Sequence, residues 1–106
     1  MIKAKFFHSD SIPTGFRISG HADHGISGED IVCASVSSAA YMVANTITEI
    51  MEAEANITVD DNGLMSLCIN PEDADRTKDI LLGLELHISE LSKQYPKNVT
   101  ITTTEV

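Results

Sequence analysis

The chain has 106 residues and a formal charge of −9 at pH 7, with 42% hydrophobic and 22% charged residues. This length allows one domain, residues 1–106, and excludes two-domain cofactor architectures. The acidic excess repels phosphate backbones and anionic lipid, so we expect no nucleic acid and no membrane partner. We expect the apolar stretches to be too short to cross a bilayer, and the start of the chain has no apolar signal core. These features predict a cytoplasmic protein.

Both cysteines, Cys33 and Cys68, are expected to be free thiols, because one disulfide would be optional in a chain able to bury this much surface. No C-x-x-C pair is present, which excludes thioredoxin-type and zinc-ribbon motifs. Aromatic residues make up 5% and Trp is absent, which argues against a surface for stacking bases. The composition favours a small protein that binds other proteins.

The first twenty residues predict a β-hairpin. Polar and apolar residues alternate over residues 2–8 and again over 15–20, with a turn-rich connection over 9–14. Residues 22–30 contain two glycines, three acidic side chains and no hydrophobic periodicity. They predict a loop that is a candidate lid.

Apolar residues at steps of three and four then predict an amphipathic helix from about residue 31 to 53. Its predicted buried stripe comprises Val32, Val36, Ala39, Val43, Ile47 and Ile50. Asp30 stands where an N-cap belongs, with its carboxylate accepting the backbone N–H of Cys33. This interpretation places Cys33 in the first helical turn.

Residues 56–60 and 64–70 predict a second hairpin, because Asn62 and Gly63 supply the positive φ angles of a tight turn. Asn70 as cap and Pro71 at the first position then open a second helix, which Pro96 ends. Its predicted buried stripe comprises Ile80, Leu84, Ile88 and Leu91, whereas Leu82 and Leu86 lie off this stripe and offer apolar surface to a partner. Residues 98–104 have the composition of a last strand.

The element order β-β-α-β-β-α-β predicts an α+β fold. A single-layer antiparallel or mixed sheet with both helices packed on it is the simplest layer arrangement for two hairpins and two helices. The order of the strands within the sheet does not follow from the pattern.

The candidate chemistry is concentrated between the first hairpin and the first helix. His21 ends a strand and Cys33 begins a helix, and strand ends and helix starts meet at one edge of a layer. The positive end of a helix dipole and a nearby imidazole both stabilise a thiolate, which activates a nucleophilic cysteine. Free backbone N–H groups there can also receive an oxyanion. The alternative is a Cys33 that is only a small packed hydrophobe beside a surface histidine.

Other residues near the thiol have two interpretations each. His24 is either a base or a solvated loop residue, and Ser37, one turn after Cys33, either lines a site or packs a helix. A metal site could draw on His21, Asp23, His24, Asp30 and Cys33, but His-x-x-His alone is a weak signal. We therefore expect no metal and no cofactor.

The residues SGHA, a Gly-containing loop and then DIVCASVS resemble the signature of the ribosomal-processing cysteine protease family. The resemblance extends over the whole chain in length, acidic character and element order. It implies a homodimeric protease that removes the N-terminal extension of a large-subunit ribosomal protein. It also implies a mobile loop between the catalytic histidine and cysteine, here including Ala22, Asp23, His24, Gly25 and Gly28.

Position by position, the resemblance makes Cys33 the nucleophile and His21 the general base, with Asp30 and Ser37 at supporting positions. A basic ribosomal protein also suits a protein of charge −9, because opposite charges steer association. The alternative from another class is an acidic adaptor that binds a basic ribosomal protein or assembly factor without catalysis. In that case Cys33 would only be packed.

Overall fold

The computed structural model describes residues 1–20, 29–59 and 65–106, and only the backbone of residues 29 and 30. The elements are β1 (Ile2–Ser9), β2 (Ile12–Ser19), α1 (Glu29–Asn45), β3 (Ala55–Val59), β4 (Met65–Ile69), α2 (Ala74–Gln94) and β5 (Val99–Glu105). A π-helical segment over Thr46–Ile50 continues α1, and a 3₁₀ turn over Pro71–Asp73 precedes α2. This order of strands and helices is the predicted one.

The five strands form one mixed sheet in the order β3-β4-β2-β1-β5, which confirms the predicted fold class. β1 and β5 are parallel, and the other neighbouring strands are antiparallel. Because β2 and β3 are both antiparallel to β4, they run in the same direction, and α1 is the crossover that joins them. The carboxyl ends of β2 and β3 therefore lie at the same end of the sheet, and the amino end of α1 lies there too.

Both helices cover one face of the sheet. The strands contribute buried side chains such as Phe6, Phe16 and Leu67, and the Phe6 and Phe16 rings lie 5.9 Å apart between centroids. Burying these side chains on one face is the main source of stability in a two-layer fold. The side chains that alternate with these buried residues along each strand point to the opposite face of the sheet.

The first hairpin turns more tightly than predicted. Asp10 and Ser11 have φ angles of 51° and 66°, so they form a two-residue connection in place of the predicted loop over 9–14. Two positive φ angles match the right-handed twist of the flanking strands, and Asp tolerates this region better than most residues. The strands consequently extend to Ser9 and from Ile12.

The predicted stripe of α1 is largely confirmed, with two differences. Ala40 and Ala44 are buried although the prediction omitted them, and Ile50 is 78% exposed although the prediction buried it. The α-helical spacing ends at Asn45, and the wider π-helical turn changes the phase. The step from Ile47 to Ile50 therefore no longer returns to the core.

The predicted cap lies on the 3₁₀ turn that leads into α2, and not on α2 itself, whose N-cap residue Asp73 makes no side-chain cap hydrogen bond. The side-chain oxygen of Asn70 accepts from the backbone N–H of Glu72 at 3.3 Å, and Pro71 follows it. The buried stripe is shifted relative to the prediction: it comprises Thr77, Leu81, Leu84 and Ile88, with Ile80 and Leu91 partly buried. Leu82 and Leu86 are 42% and 65% exposed, as their position off the stripe predicts.

Residues Ile31–Ile50 form a helical stretch of 20 residues with a mean hydropathy of 1.4, long and apolar enough to cross a membrane by length and composition alone. The expectation that every apolar stretch is too short to cross a bilayer was therefore wrong for the length and composition of this stretch. In the folded chain, one side of this stretch packs against the sheet through Val32, Val36, Val43 and Ile47.

Candidate active site

Cys33 lies near the amino end of α1, although not in the predicted first turn. The helix begins at Glu29, so Asp30 is its second residue rather than its N-cap, and Cys33 is its fifth. A terminal acidic residue marks a helix start without fixing its first residue, and boundaries read from sequence shift by one or two positions. Because the Cα–Cβ bond tilts toward the amino end, the thiol still points toward the first-turn N–H groups, which lack intrahelical partners.

The two cysteines are both free and occupy different environments. Cys33 is half-buried and packs against the hydrophobic core. Cys68 is exposed on β4, opposite Gly15 of β2 and Asn56 of β3 on the face away from the helices. Cys68 is exposed because its strand neighbours Leu67 and Ile69 take the buried side. Of the two thiols, only Cys33 combines partial burial with a helix amino end.

The serines after Cys33 divide between two sides of the helix. Ser37 is exposed and lies one turn after Cys33 on the same side, so it is not a helix-packing residue. The Ser35 hydroxyl donates to the carbonyl oxygen of Ile31 at 2.8 Å and lines the groove between α1 and α2. Ser37 is thus the hydroxyl that shares a side with the thiol.

His21 and the predicted lid residues Ala22, Asp23, His24, Gly25 and Gly28 lie outside the described residues, as does the side chain of Asp30. The structure describes the strand that leads to them. Gly20, which follows β2, has a φ of 92°, and a Cβ there would meet the carbonyl oxygen of Met1. Both conditions require glycine. Sequence reasoning overlooked this residue, although its position directly before His21 was a signal.

The two described histidines lie away from the thiol. His8 is at the carboxyl end of β1. Because β1 and β2 are antiparallel, this end of the sheet is opposite to the one at which the amino end of α1 lies. Its Nε2 lies 3.0 Å from an Oε2 of Glu85, whose other oxygen accepts from Thr103 at 2.8 Å. His87 lies on α2 and lines the groove between the helices. Neither is placed to serve as a base for Cys33.

Within residues 1–20, 31–59 and 65–106, no three His, Cys, Asp or Glu side chains are grouped closely enough to hold a metal ion. The chemistry that the described part of the site offers is that of a thiol beside helix N–H groups. These groups can receive the negative charge that develops when a thiolate attacks a carbonyl.

Comparison with known proteins agrees with this chemistry. The family model described as cysteine protease Prp matches residues 1–100. The ribosomal processing cysteine protease Prp of Staphylococcus aureus (strain Mu50) is 31% identical over 88 residues, which are 79% of this chain and 80% of the relative. The protein of the same name from Bacillus subtilis (strain 168) is 22% identical over 93 residues, 83% of each chain.

Solved structures match the whole fold. SMU.848 from Streptococcus mutans has a TM-score of 0.89 at 26% identity, covering 100% of this chain and 96% of the other. The essential ribosomal processing protease Prp from S. aureus, in complex with a substrate peptide, has a TM-score of 0.88 at 25% identity over 98% of this chain and all of the other. The same protease with a covalently linked product peptide has a TM-score of 0.86 at 27% identity, with the same coverage. The match of the family model to nearly the entire sequence shows that this chain belongs to the cysteine protease Prp family.

Proposed function

We propose that this protein is the endopeptidase that removes the N-terminal extension of a large-subunit ribosomal protein, with Cys33 as nucleophile and His21 as general base. The observation that carries the proposal is the half-buried free thiol at the amino end of α1, at the sheet edge where β2 leads into Gly20 and His21. The names of the S. aureus and B. subtilis relatives, which include ribosomal processing, support the substrate class.

In the proposed reaction, His21 takes the proton of the Cys33 thiol, and the thiolate attacks the carbonyl carbon of the scissile bond. A C–S bond forms, and the negative charge on the carbonyl oxygen is received by N–H groups of the first turn of α1. His21 then gives its proton to the departing amine, the C–N bond breaks, and an acyl-enzyme remains. Water, deprotonated by His21, hydrolyses the thioester and releases the thiol. The covalently linked product peptide of the S. aureus protease supports such an intermediate.

The supporting residues have distinct proposed roles. Asp30, in the first turn of α1, orients the His21 imidazole and complements the helix dipole. Ser37 presents its exposed hydroxyl on the same side of α1 as the thiol. The protein acts as a homodimer in the cytoplasm, where ribosomal subunits assemble.

Intact-mass spectrometry of the extended ribosomal protein, incubated with wild type or with Cys33→Ala, tests the proposal. We expect wild type alone to remove the extension, and the mass difference identifies the cleaved bond. Cys68→Ala is the matched control, because it removes the other free thiol from an exposed position. If neither form cleaves and both bind the ribosomal protein in a stable complex on size exclusion, the acidic adaptor is correct and Cys33 is a packed residue.

A further inference from the structure

Charge is segregated along this chain. Residues 18–75 contain no Lys or Arg and hold 11 of the 16 acidic residues. This part of the sequence includes α1, β3 and β4; the two strands carry no acidic residue, and Glu49, Glu52 and Glu54 lie in the connection from α1 to β3. Three of the seven basic residues, Lys3, Lys5 and Arg17, lie instead on β1 and β2. A basic peptide is therefore attracted to the side of the molecule built from residues 18–75.

β3 is a free edge of the sheet on that side. It pairs with β4 alone among the described strands, so the backbone N–H and C=O groups of its outer edge have no strand partner. Ile57 and Val59 are 38% and 51% exposed, although their cross-strand partners, Leu67 and Met65, are buried under the helices. An apolar, unpaired edge is a template for another extended chain, and proteins usually block such edges when they are not used.

The exposed side of α1 turns toward this edge. The groove between the helices takes Ser35, Ala39 and Met42 from α1. Residues at steps of four from Cys33, namely Ser37 and Tyr41, lie on the opposite side of the helix. α2 packs across β2 and β5, and α1 crosses from β2 to the edge strand β3. The side of α1 that faces away from α2 is therefore the side nearer the β3 edge.

A contact further along the helix agrees with this placement. Thr48, in the π-helical segment, lines a cavity together with Ala55 and Asn56 of β3 and Cys68 of β4. The helical layer therefore borders β3 directly. Tyr41, two turns after Cys33 on the same side of α1, is 47% exposed.

The directions and lengths of the two elements also match. Because β2 and β3 are parallel and α1 returns between them, Val59 lies at the Cys33 end and Ala55 at the other end. The helix rises about 12 Å from Cys33 to Tyr41, and five residues of strand span about 17 Å. An extended peptide of a few residues is long enough to follow β3 and reach the thiol.

We propose that the substrate peptide binds as an added strand on the outer edge of β3, between this edge and the side of α1 that carries Cys33, Ser37 and Tyr41. Backbone hydrogen bonds to β3 hold the peptide, its apolar side chains contact Ile57 and Val59, and the acidic side of the molecule selects a basic sequence. This inference rests on the proposed function and names where its substrate binds.

The first test uses Val59→Lys and Ile57→Lys in cleavage of a synthetic peptide that spans the bond identified by mass spectrometry. A lysine at either position repels a basic peptide at the docking edge and leaves the thiol unchanged. We expect KM to rise about tenfold, which corresponds to about 1.4 kcal/mol of binding, with kcat within about twofold. The matched control is Thr104→Lys, with the same change in charge on the opposite edge strand, where KM should stay within about twofold.

The second test uses no substitution in β3, so it does not depend on whether such a variant folds. Peptides with one backbone N-methyl group each are titrated against Cys33→Ala, and binding is followed by fluorescence anisotropy. Added-strand binding predicts losses of affinity at every second position, because alternate amides point toward β3. Uniform affinities, or a KM that is equal in Val59→Lys, Ile57→Lys and Thr104→Lys, would overturn the docking site and leave the proposed function standing. No cleavage of the peptide by wild type would overturn both.

Discussion

The two crossover units of this protein are similar in construction and different in chemistry. In β4–α2–β5, the helix and the turn before it carry ion pairs, Arg76–Asp73 at 3.1 Å, Lys78–Asp75 at 2.9 Å and Lys93–Glu90 at 3.2 Å. In β2–α1–β3, the helix has no charged side chain after Asp30.

The hydroxyl groups of α1 and its π-helical extension form bonds of a different kind. Ser35, Thr46 and Thr48 donate to carbonyl oxygens of their own helix at 2.8, 2.7 and 3.0 Å. Such bonds satisfy the hydroxyls and favour bending of a helix more than they stabilise it. The comparison indicates that α2 and the turn before it hold charged side chains in surface ion pairs, whereas the α1 unit carries the half-buried thiol and the exposed edge strand.

The largest expected effect separates the units by catalysis. Cys33→Ala should lower kcat/KM by about 10⁴-fold or more, because removal of a catalytic nucleophile leaves only residual rate enhancement. Its melting temperature should stay close to that of wild type. Peptide cleavage and thermal denaturation measure the two quantities, and substantial cleavage by Cys33→Ala would remove the nucleophile from the α1 unit.

The next effect separates the buried and the exposed side of α2 by stability. Leu81 on α2 is fully buried, and Leu81→Ala should lower the free energy of unfolding by about 2–5 kcal/mol through lost burial and a cavity. Leu86→Ala, at an exposed position on the same helix, should change it by about 0.5 kcal/mol or less. Urea denaturation of both variants measures the difference, and equal values would contradict the assignment of stability to the buried side of α2.

A smaller effect concerns the reactivity of the thiols. With iodoacetamide near neutral pH, Cys33 should be alkylated at least about tenfold faster than Cys68, although Cys68 is the more exposed. His21→Ala should slow the alkylation of Cys33 and leave that of Cys68 unchanged. Peptide mapping by mass spectrometry gives both rates. Faster labelling of Cys68 would mean that exposure, not activation, decides the reactivity.

The smallest effect concerns the junction between the units. A hydrogen bond from Arg76, and then one from the backbone N–H of Glu54, lower the pKa of Asp73 from its usual 3.8. A lowered folded-state pKa stabilises the protein above the unfolded-state value, and this contribution is lost as pH falls through the folded-state value. Asp73→Asn should therefore melt at a lower temperature than wild type at pH 7. The gap should close below about pH 4. A gap that persists unchanged to pH 2 would contradict this role.

The sequence predicted most of the fold because hydrophobic periodicity is a local signal. The first hairpin, the antiparallel pair of β3 and β4, both helices and the cap at Asn70 follow from nearest-neighbour chemistry. The predicted turn at Asn62 and Gly63 lies outside the described residues. The strand order does not follow from nearest-neighbour chemistry, since the pairing of β1 with β5 depends on contacts between residues far apart in sequence. The phase change at the π-helical segment, which exposes Ile50, also has no signal in residue spacing.

The candidate site was predicted in part. The sequence placed Cys33 near a helix start, and the structure agrees to within a turn. Which side of α1 carries the thiol relative to α2 and β3 could not be predicted, because it depends on where each crossover lies on the sheet. The requirement for glycine at position 20 likewise arises from a tertiary contact with Met1. The roles of His21, Asp30 and Ser37 stay predictions.

The parallel pairing of the first and last strands has a kinetic consequence. Residues 2–8 find their partners on one side within a hairpin, but on the other side only when residues 99–105 have been synthesised. Such long-range pairing raises the contact order and slows folding into the millisecond-to-second range. Until β5 docks, Val99 cannot fill its place in the core, and β1 is an open strand edge that other chains can pair with. A chain that ends before residue 99 is therefore expected to aggregate, although it contains Cys33 and all of α1.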